Sequence, residues 1–169
     1  MLNQLLRPDW MLEQTLAELP LQQLLDQQIR ALVLDVDRTL LPRRGSVLPE
    51  PARHWLSVAR SQMPIHLLSN NPSRQRIGAV ARELNLPFTT SAGKPRRSAL
   101  RRVLNELNLP PHQVALIGDR LFTDVIAGNR LGLYTVLVRP IAANGQPCQR
   151  DHLQQLELRL ARWAGTRLS

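Results

Sequence analysis

Four short apolar runs, residues 29–34, 65–68, 114–117 and 134–138, each stop abruptly at a polar or loop-forming residue. Each has the length of a buried strand and is far too short to span a bilayer. A weaker strand signal lies at residues 88–90. Between these runs, apolar residues recur at helical spacing over about 50–62, 72–84, 95–107 and 123–131. Strands that alternate with helices imply a parallel sheet covered on both faces. The expected fold class is therefore α/β, a three-layer sandwich with a mainly parallel sheet.

Local punctuation agrees with these elements. Asn71 reads as an N-cap with Pro72 in the first helical position, and Gly132 as the end of the helix before the last strand. Residues 1–28 read as helix broken near Pro8 and Pro20, with Leu12, Leu16 and Leu19 and then Leu21, Leu24 and Leu25 at helical spacing. Leu153, Leu156, Leu160 and Trp163 mark an amphipathic helix within 151–169. Residues 1–169 read as one domain, with 1–28 as an N-terminal extension.

The formal net charge is +9, and 21 of the 22 Lys and Arg residues are arginine. Guanidinium groups bind phosphate through a planar fork, so an anionic partner is expected. A phosphorylated metabolite, an anionic lipid and a nucleic acid all fit that charge. Aromatics are only 4% of the chain, which counts against base stacking on single strands. The one cysteine, Cys148, excludes an intrachain disulfide and a cysteine-rich zinc site. The N-terminus lacks the pattern of a signal peptide. A cytoplasmic location is expected, with peripheral contact at the inner face of a membrane left open. No oligomeric partner is indicated.

In parallel sheets ligands bind outside the carboxyl ends of the strands. Asp35, Asp37, Ser69 and Asp119 all fall just after strands, and Lys94 follows the third. Two carboxylates at Asp35 and Asp37 repel one another and call for a counter-charge, for which Mg²⁺ is suited because hard cations prefer oxygen ligands. The same pair also reads as a strand terminator. Asp119 is placed to complete a metal site, and Asp124 reads equally as a supporting carboxylate or a first-turn cap. Ser69 by itself reads as a turn residue, although a strand-to-helix turn can hold phosphate oxygens. Lys94 is the single lysine, a compact charge able to neutralise both a phosphate and a carboxylate.

Taken together these positions resemble the haloacid dehalogenase (HAD) phosphatase superfamily. Asp35-Val36-Asp37-Arg38-Thr39 matches its DxDxT signature, Ser69 the second motif, Lys94 the third, and Gly118-Asp119 with Asp124 the acidic fourth. The resemblance covers about residues 30–139 and implies a HAD-like Rossmannoid sandwich. It implies that Asp35 is a nucleophile forming an aspartyl-phosphate and that Asp37 is the acid–base partner. It implies that Ser69, Asn70 and Lys94 hold the phosphoryl group. Mg²⁺ would be held by Asp35, the Asp37 carbonyl and Asp119, with Asp124, Thr39 and Arg38 in support.

Only a short loop separates Thr39 from the next helix, so no cap domain is expected. An open site admits a phosphate carried on a large molecule. Leu6-Arg7-Pro8, Ser69-Asn70-Asn71 and the stretch from Gly118 through Val125 with Gly128-Asn129-Arg130 are similar to the YqeG-like group, which includes phosphatidylglycerophosphate phosphatases. That likeness implies conversion of phosphatidylglycerophosphate to phosphatidylglycerol. A HAD phosphatase acting on a nucleic-acid end or a soluble phosphate ester is the alternative, and a non-catalytic HAD-like binding protein is the alternative of another class. Arg38 departs from the Gly or Asn common at its position in the superfamily. A long cation there can bind a second phosphate or narrow the entrance.

Overall fold

The structure, a computed structural model, describes residues 1–168. Its centre is a six-stranded parallel sheet. The strands are β1 (Trp10–Met11), β2 (Ala31–Leu34), β3 (Ile65–Leu68), β4 (Phe88–Thr89), β5 (Val114–Gly118) and β6 (Tyr134–Leu137), in the order β1-β6-β5-β2-β3-β4. The α/β class and parallel sheet expected from the apolar runs are present. The middle strands are buried on both faces, which is why they read as continuous apolar runs and not as alternating ones.

Successive residues of a strand face opposite layers. Leu32 and Leu34 of β2 join a core with α3 (Glu50–Gln62) and α4 (Arg74–Leu84), while Ala31 and Val33 join one with α5 (Ser98–Leu107). From β2 the chain builds outward through β3 to β4, then crosses back and builds the other way through β5 to β6. The reversal puts the carboxyl ends of β2 and β5 side by side. Their register pairs Leu34 with Ile117, and the Asp35 N–H donates to the Ile117 carbonyl at 3.0 Å. Residues 35–49 form the loop joining β2 to α3, and no inserted domain lies there.

Three local expectations are corrected. Residues 1–28 are helical only before Pro8 and after Pro20, and the stretch between, expected as helix, is not. They form α1 (Leu2–Leu5), the edge strand β1, a 3₁₀ turn at Leu16–Glu18 and α2 (Leu21–Asp26). Long-range bonds override the helical spacing. The Asp9 carboxylate accepts from the Thr135 N–H at 2.8 Å, and the Leu12 N–H donates to the Leu137 carbonyl at 2.9 Å. The cap of α4 is Ser73, whose Oγ accepts from the Arg76 N–H at 3.2 Å. Asn71 accepts from the Ser73 N–H instead, forming the turn before the helix. The segment expected as one helix over 123–131 begins earlier, with a wide π-type turn at Leu121–Val125, and continues as α6 (Ile126–Asn129).

The C-terminal helix α7 (His152–Trp163) is present, but its faces are inverted relative to an ordinary amphipathic helix. Gln154, Glu157, Leu158 and Ala161 are buried, whereas Leu153, Leu156, Leu160 and Trp163 face outward, with Trp163 89% exposed. The cause is the loop that α7 covers. Gln154 Nε2 donates to the carbonyls of Asp119 at 2.7 Å and Val138 at 2.8 Å. Glu157 accepts from the Leu121 N–H at 2.8 Å and from the Arg120 guanidinium at 2.6 and 2.8 Å. Backbone groups at the ends of β5 and β6 need partners when buried, and two polar side chains of α7 supply them.

This arrangement predicts unequal costs along one helix. Glu157→Ala should lower the unfolding free energy by roughly 2–4 kcal/mol, because it strands a buried N–H and an anchored guanidinium. Leu156→Ser should change it by less than about 0.5 kcal/mol, as at other exposed sites. Urea unfolding followed by circular dichroism checks both, and the opposite ranking would mean that α7 presents its leucines inward.

Candidate active site

Every residue expected at the site except Arg38 and Thr39 lies just past the carboxyl end of a strand or in the turn before α5, and all of them converge on one cleft. Asp35, Asp37, Arg38, Ser69, Asn70, Lys94 and Asp119 line it directly, in a volume of about 140 Å³. Asp124 and Thr39 lie behind it, both buried.

Lys94 is the hub. Its Nζ lies 2.8 Å from Asp35 Oδ1, 2.8 Å from the Leu68 carbonyl and 2.7 Å from Asp124 Oδ1. Burial alone would push an ammonium's pKa down. The charges of Asp124 and Asp35 outweigh that burial, and the net shift is upward, so Lys94 stays charged. Asn70 fixes the Lys94 backbone from both sides, with Nδ2 donating to its carbonyl at 2.9 Å and Oδ1 accepting from its N–H at 2.8 Å. The Asn70 side chain is therefore used in positioning Lys94.

Asp35 ends β2 and is also buried. Burial, together with the charge of Asp124, raises its pKa from 3.8 to about 6, against the pull of Lys94. It remains mainly ionised near neutral pH. Thr39 Oγ1 lies 3.2 Å from Asp35 Oδ2 and 3.4 Å from Asp119 Oδ1, so one hydroxyl bridges the two carboxylates. Burial and the charges of Asp35 and Asp124 hold the Asp119 carboxyl well above the usual carboxylate range. Asp119 Oδ2 is buried and makes no hydrogen bond, with only Arg38 Nε near it at 3.7 Å. Oxygens of Asp35, Asp119 and Asp124 lie within 4.8 Å of one another. An all-oxygen, negatively charged trio with an orphaned buried lone pair fits a hard divalent cation. Asp124 is the member least free to bind one. It carries Lys94, and its Oδ2 accepts from the Arg120 N–H at 3.1 Å. Gly118 makes room for it, since a Cβ there would stand 2.2 Å from Asp124 Oδ2.

Asp37 is held differently. Asn71 Nδ2 donates to its Oδ2 at 2.8 Å and Arg76 Nε to its Oδ1 at 3.0 Å. Ser69 Oγ accepts from the Asn71 N–H at 3.1 Å and closes the turn above β3. Arg38 lies in the loop after β2 with φ +69°, a left-handed conformation that costs a non-glycine residue roughly 1–2 kcal/mol. That conformation explains why Gly or Asn suits the position, and it means that the Arg38 side chain must offset the strain. Arg38 forms an ion pair with Asp151, the N-cap of α7.

Sequence reasoning missed Asn71 and Arg76 as partners of Asp37, and Asp151, Gln154 and Glu157 as supports. Asp151-x-x-Gln154 was legible as a helix-start pattern. Arg76 carried no local signal, because its role depends on α4 packing beside the β2 loop.

Fold and site together define a HAD-type hydrolase. Residues 91–154 match the HAD-hydrolase-like family, and that match together with the phosphatase relatives supports a phosphoric monoester hydrolase. It is 29% identical over 124 residues to the Bacillus subtilis protein named Probable phosphatase YqeG, spanning 73% of this chain and 72% of that one. It is 30% identical over 145 residues to the chloroplastic phosphatidylglycerophosphate phosphatase 1 of Chlamydomonas reinhardtii, spanning 79% of this chain but only 54% of the algal protein. In three dimensions it resembles a HAD-superfamily hydrolase of subfamily IA from Geobacter sulfurreducens, with TM-score 0.54 and 14% identity over 78% of this chain and 99% of that one. That last likeness is one of fold.

The crowded carboxylates make a signed prediction for the cation-free protein. A carboxyl whose pKa is raised on folding stabilises the fold below its unfolded value, here 3.8, and loses that contribution as pH rises through its folded value, about 6 for Asp35. Asp119 shifts in the same direction. In EDTA, Asp119→Asn should therefore melt higher than the wild type near pH 7 by several degrees, about 1 kcal/mol being worth roughly 2–4 °C at this chain length. The advantage should shrink toward pH 4. Thermal melts across pH measure it, and a variant that melts lower at every pH would contradict the repulsion.

Proposed function

We propose that this phosphatase removes the terminal phosphate of phosphatidylglycerophosphate or a closely similar lipid monoester, with Mg²⁺, through an aspartyl-phosphate on Asp35. The observation that carries the chemistry is the buried Asp35–Lys94–Asp124 ion pairing at the back of a phosphate-sized cleft.

An Asp35 oxygen attacks phosphorus in line, and the bond from phosphorus to the ester oxygen breaks. Asp37 gives a proton to the departing oxygen. It then takes a proton from the water that attacks the phosphoryl group, and Asp35 is released as a carboxylate. Asn71 and Arg76 keep Asp37 in place for both transfers. Lys94 already donates to Asp35 and the Leu68 carbonyl and is ion-paired with Asp124, so it acts on the phosphoryl oxygens as a fixed positive charge beside the nucleophile. Ser69 Oγ and the Asn70 backbone N–H would hold the same oxygens. Asp35, Asp119 and the Asp37 carbonyl would hold Mg²⁺, whose charge offsets the repulsion between phosphate and the attacking carboxylate.

Three features support a lipid substrate. The loop after β2 leaves the cleft uncovered. The relatives include a phosphatidylglycerophosphate phosphatase. The outward face of α7 carries Leu153, Leu156, Leu160 and Trp163, flanked by the exposed Arg159 and Arg162. Apolar residues beside arginines on one helix suit peripheral contact with an anionic membrane surface. No helix among the described residues is long and apolar enough to cross a membrane.

Phosphate release from phosphatidylglycerophosphate in mixed micelles tests the reading. Turnover should require Mg²⁺, stop in EDTA and fall by at least about 10³-fold in Asp35→Asn, a loss typical of removing a nucleophile. Mg²⁺ should also raise the melting temperature of the wild type and not of Asp119→Asn. Turnover confined to soluble esters or nucleic-acid ends would move the substrate and leave the mechanism standing.

A further inference from the structure

A second cleft, of about 360 Å³, opens beside the catalytic one. Arg38 and Arg120 line both, so the two are continuous through a pair of guanidinium groups. Arg43, Arg150 and His152 complete the basic lining of the second cleft, and Asp151 is the one carboxylate in it. Asp151 is occupied by Arg38, and Arg120 is held from behind by Glu157. Arg43 and Arg150 are exposed and make no ion pair among the described residues. Four arginines around one cleft, two anchored and two unpaired, make an anion site whose donors suit the planar, bidentate recognition of phosphate.

We infer that this cleft binds a second phosphate carried by the substrate, next to the one that is cleaved. The inference rests on the phosphatase reading of the first cleft and deepens it. Arg38 gives it independent weight. Its strained backbone conformation favours glycine, yet the residue carries a guanidinium to the boundary between the two clefts. The order of surfaces also matches the chemistry of a phospholipid monoester. The catalytic cleft takes the terminal phosphate, and the arginine cleft takes a phosphodiester one glycerol away. Leu153 lines that second cleft and begins the outward apolar stripe of α7, where acyl chains would lie. A soluble compound with two phosphates offers the same anion without the chains.

The test compares kcat/KM for three substrates: phosphatidylglycerophosphate in mixed micelles, its deacylated water-soluble form glycerophosphoglycerophosphate, and glycerol 3-phosphate. Each is measured with the wild type and with the Arg43→Ala/Arg150→Ala double variant, whose changes are at exposed positions. The wild type should prefer both two-phosphate compounds over glycerol 3-phosphate. The double variant should lose about tenfold or more of that preference, the scale of one or two charge-assisted hydrogen bonds. A preference that is absent, or that survives in the double variant, overturns the site. Turnover of glycerophosphoglycerophosphate without turnover of the lipid would keep the site and sink the lipid reading. Lipid turnover with an unchanged ratio would do the reverse. Calorimetry on the Asp35→Asn background gives a readout independent of catalysis. There the affinity for glycerophosphoglycerophosphate should fall about tenfold when both arginines are removed, and equal affinity overturns the site.

Discussion

The ammonium of Lys94, buried between Asp35 and Asp124, is the interaction on which the rest of the site depends. A charge removed from water is tolerated only when it is paired and hydrogen-bonded, and Lys94 meets both conditions through hydrogen bonds to Asp35 and the Leu68 carbonyl and an ion pair with Asp124. Those partners come from the ends of β2 and β3 and from the turn after β5. One side chain therefore ties three strand ends together at the point where the strand order reverses. The surrounding residues serve that contact. Gly118 leaves space for Asp124, Asn70 grips the Lys94 backbone, and Thr39 spaces Asp35 from Asp119. Three carboxylates meet only one fully buried cation, and the excess negative charge is what suits the cleft to a divalent ion.

Helix α7 gives the site its second layer of support. A helix in this position ordinarily turns apolar residues inward. Here the loop beneath it presents backbone carbonyls and an N–H that only polar side chains can satisfy, so Gln154 and Glu157 point in and the leucines point out. The inversion has two results. It fixes Asp119 and Arg120 in place beside Asp35. It also leaves an apolar stripe, edged with arginine, on the outer face of α7.

Much of the site was legible because its residues fall at places that parallel sheets impose. Asp35, Ser69 and Asp119 each end an apolar run, and Lys94 stands alone among arginines. What escaped the sequence were the partners across the fold. Arg76 is 39 positions from Asp37 and Glu157 is 37 from Arg120. No periodicity connects such pairs. The N-terminal segment failed for a related reason. Its leucines do reach the core, but Leu16 does so from a 3₁₀ turn and only Leu24 from a helix, the short α2. Helical spacing reports which residues seek burial, not which backbone delivers them.

By itself the sequence determined the alternation of strand and helix, the parallel sheet, and the set of acids, hydroxyl and lysine at its carboxyl edge. Those follow from local rules, since the length of an apolar run, the residue that ends it and the helix that follows are all read within a few turns of chain. Only the tertiary structure decided which carboxylate carries Lys94, which is left with an orphaned oxygen, and which face of α7 meets the solvent. Each of these depends on groups brought together from distant segments, where the cost of burying an unpaired charge or backbone polar group outweighs the local preference of any one residue.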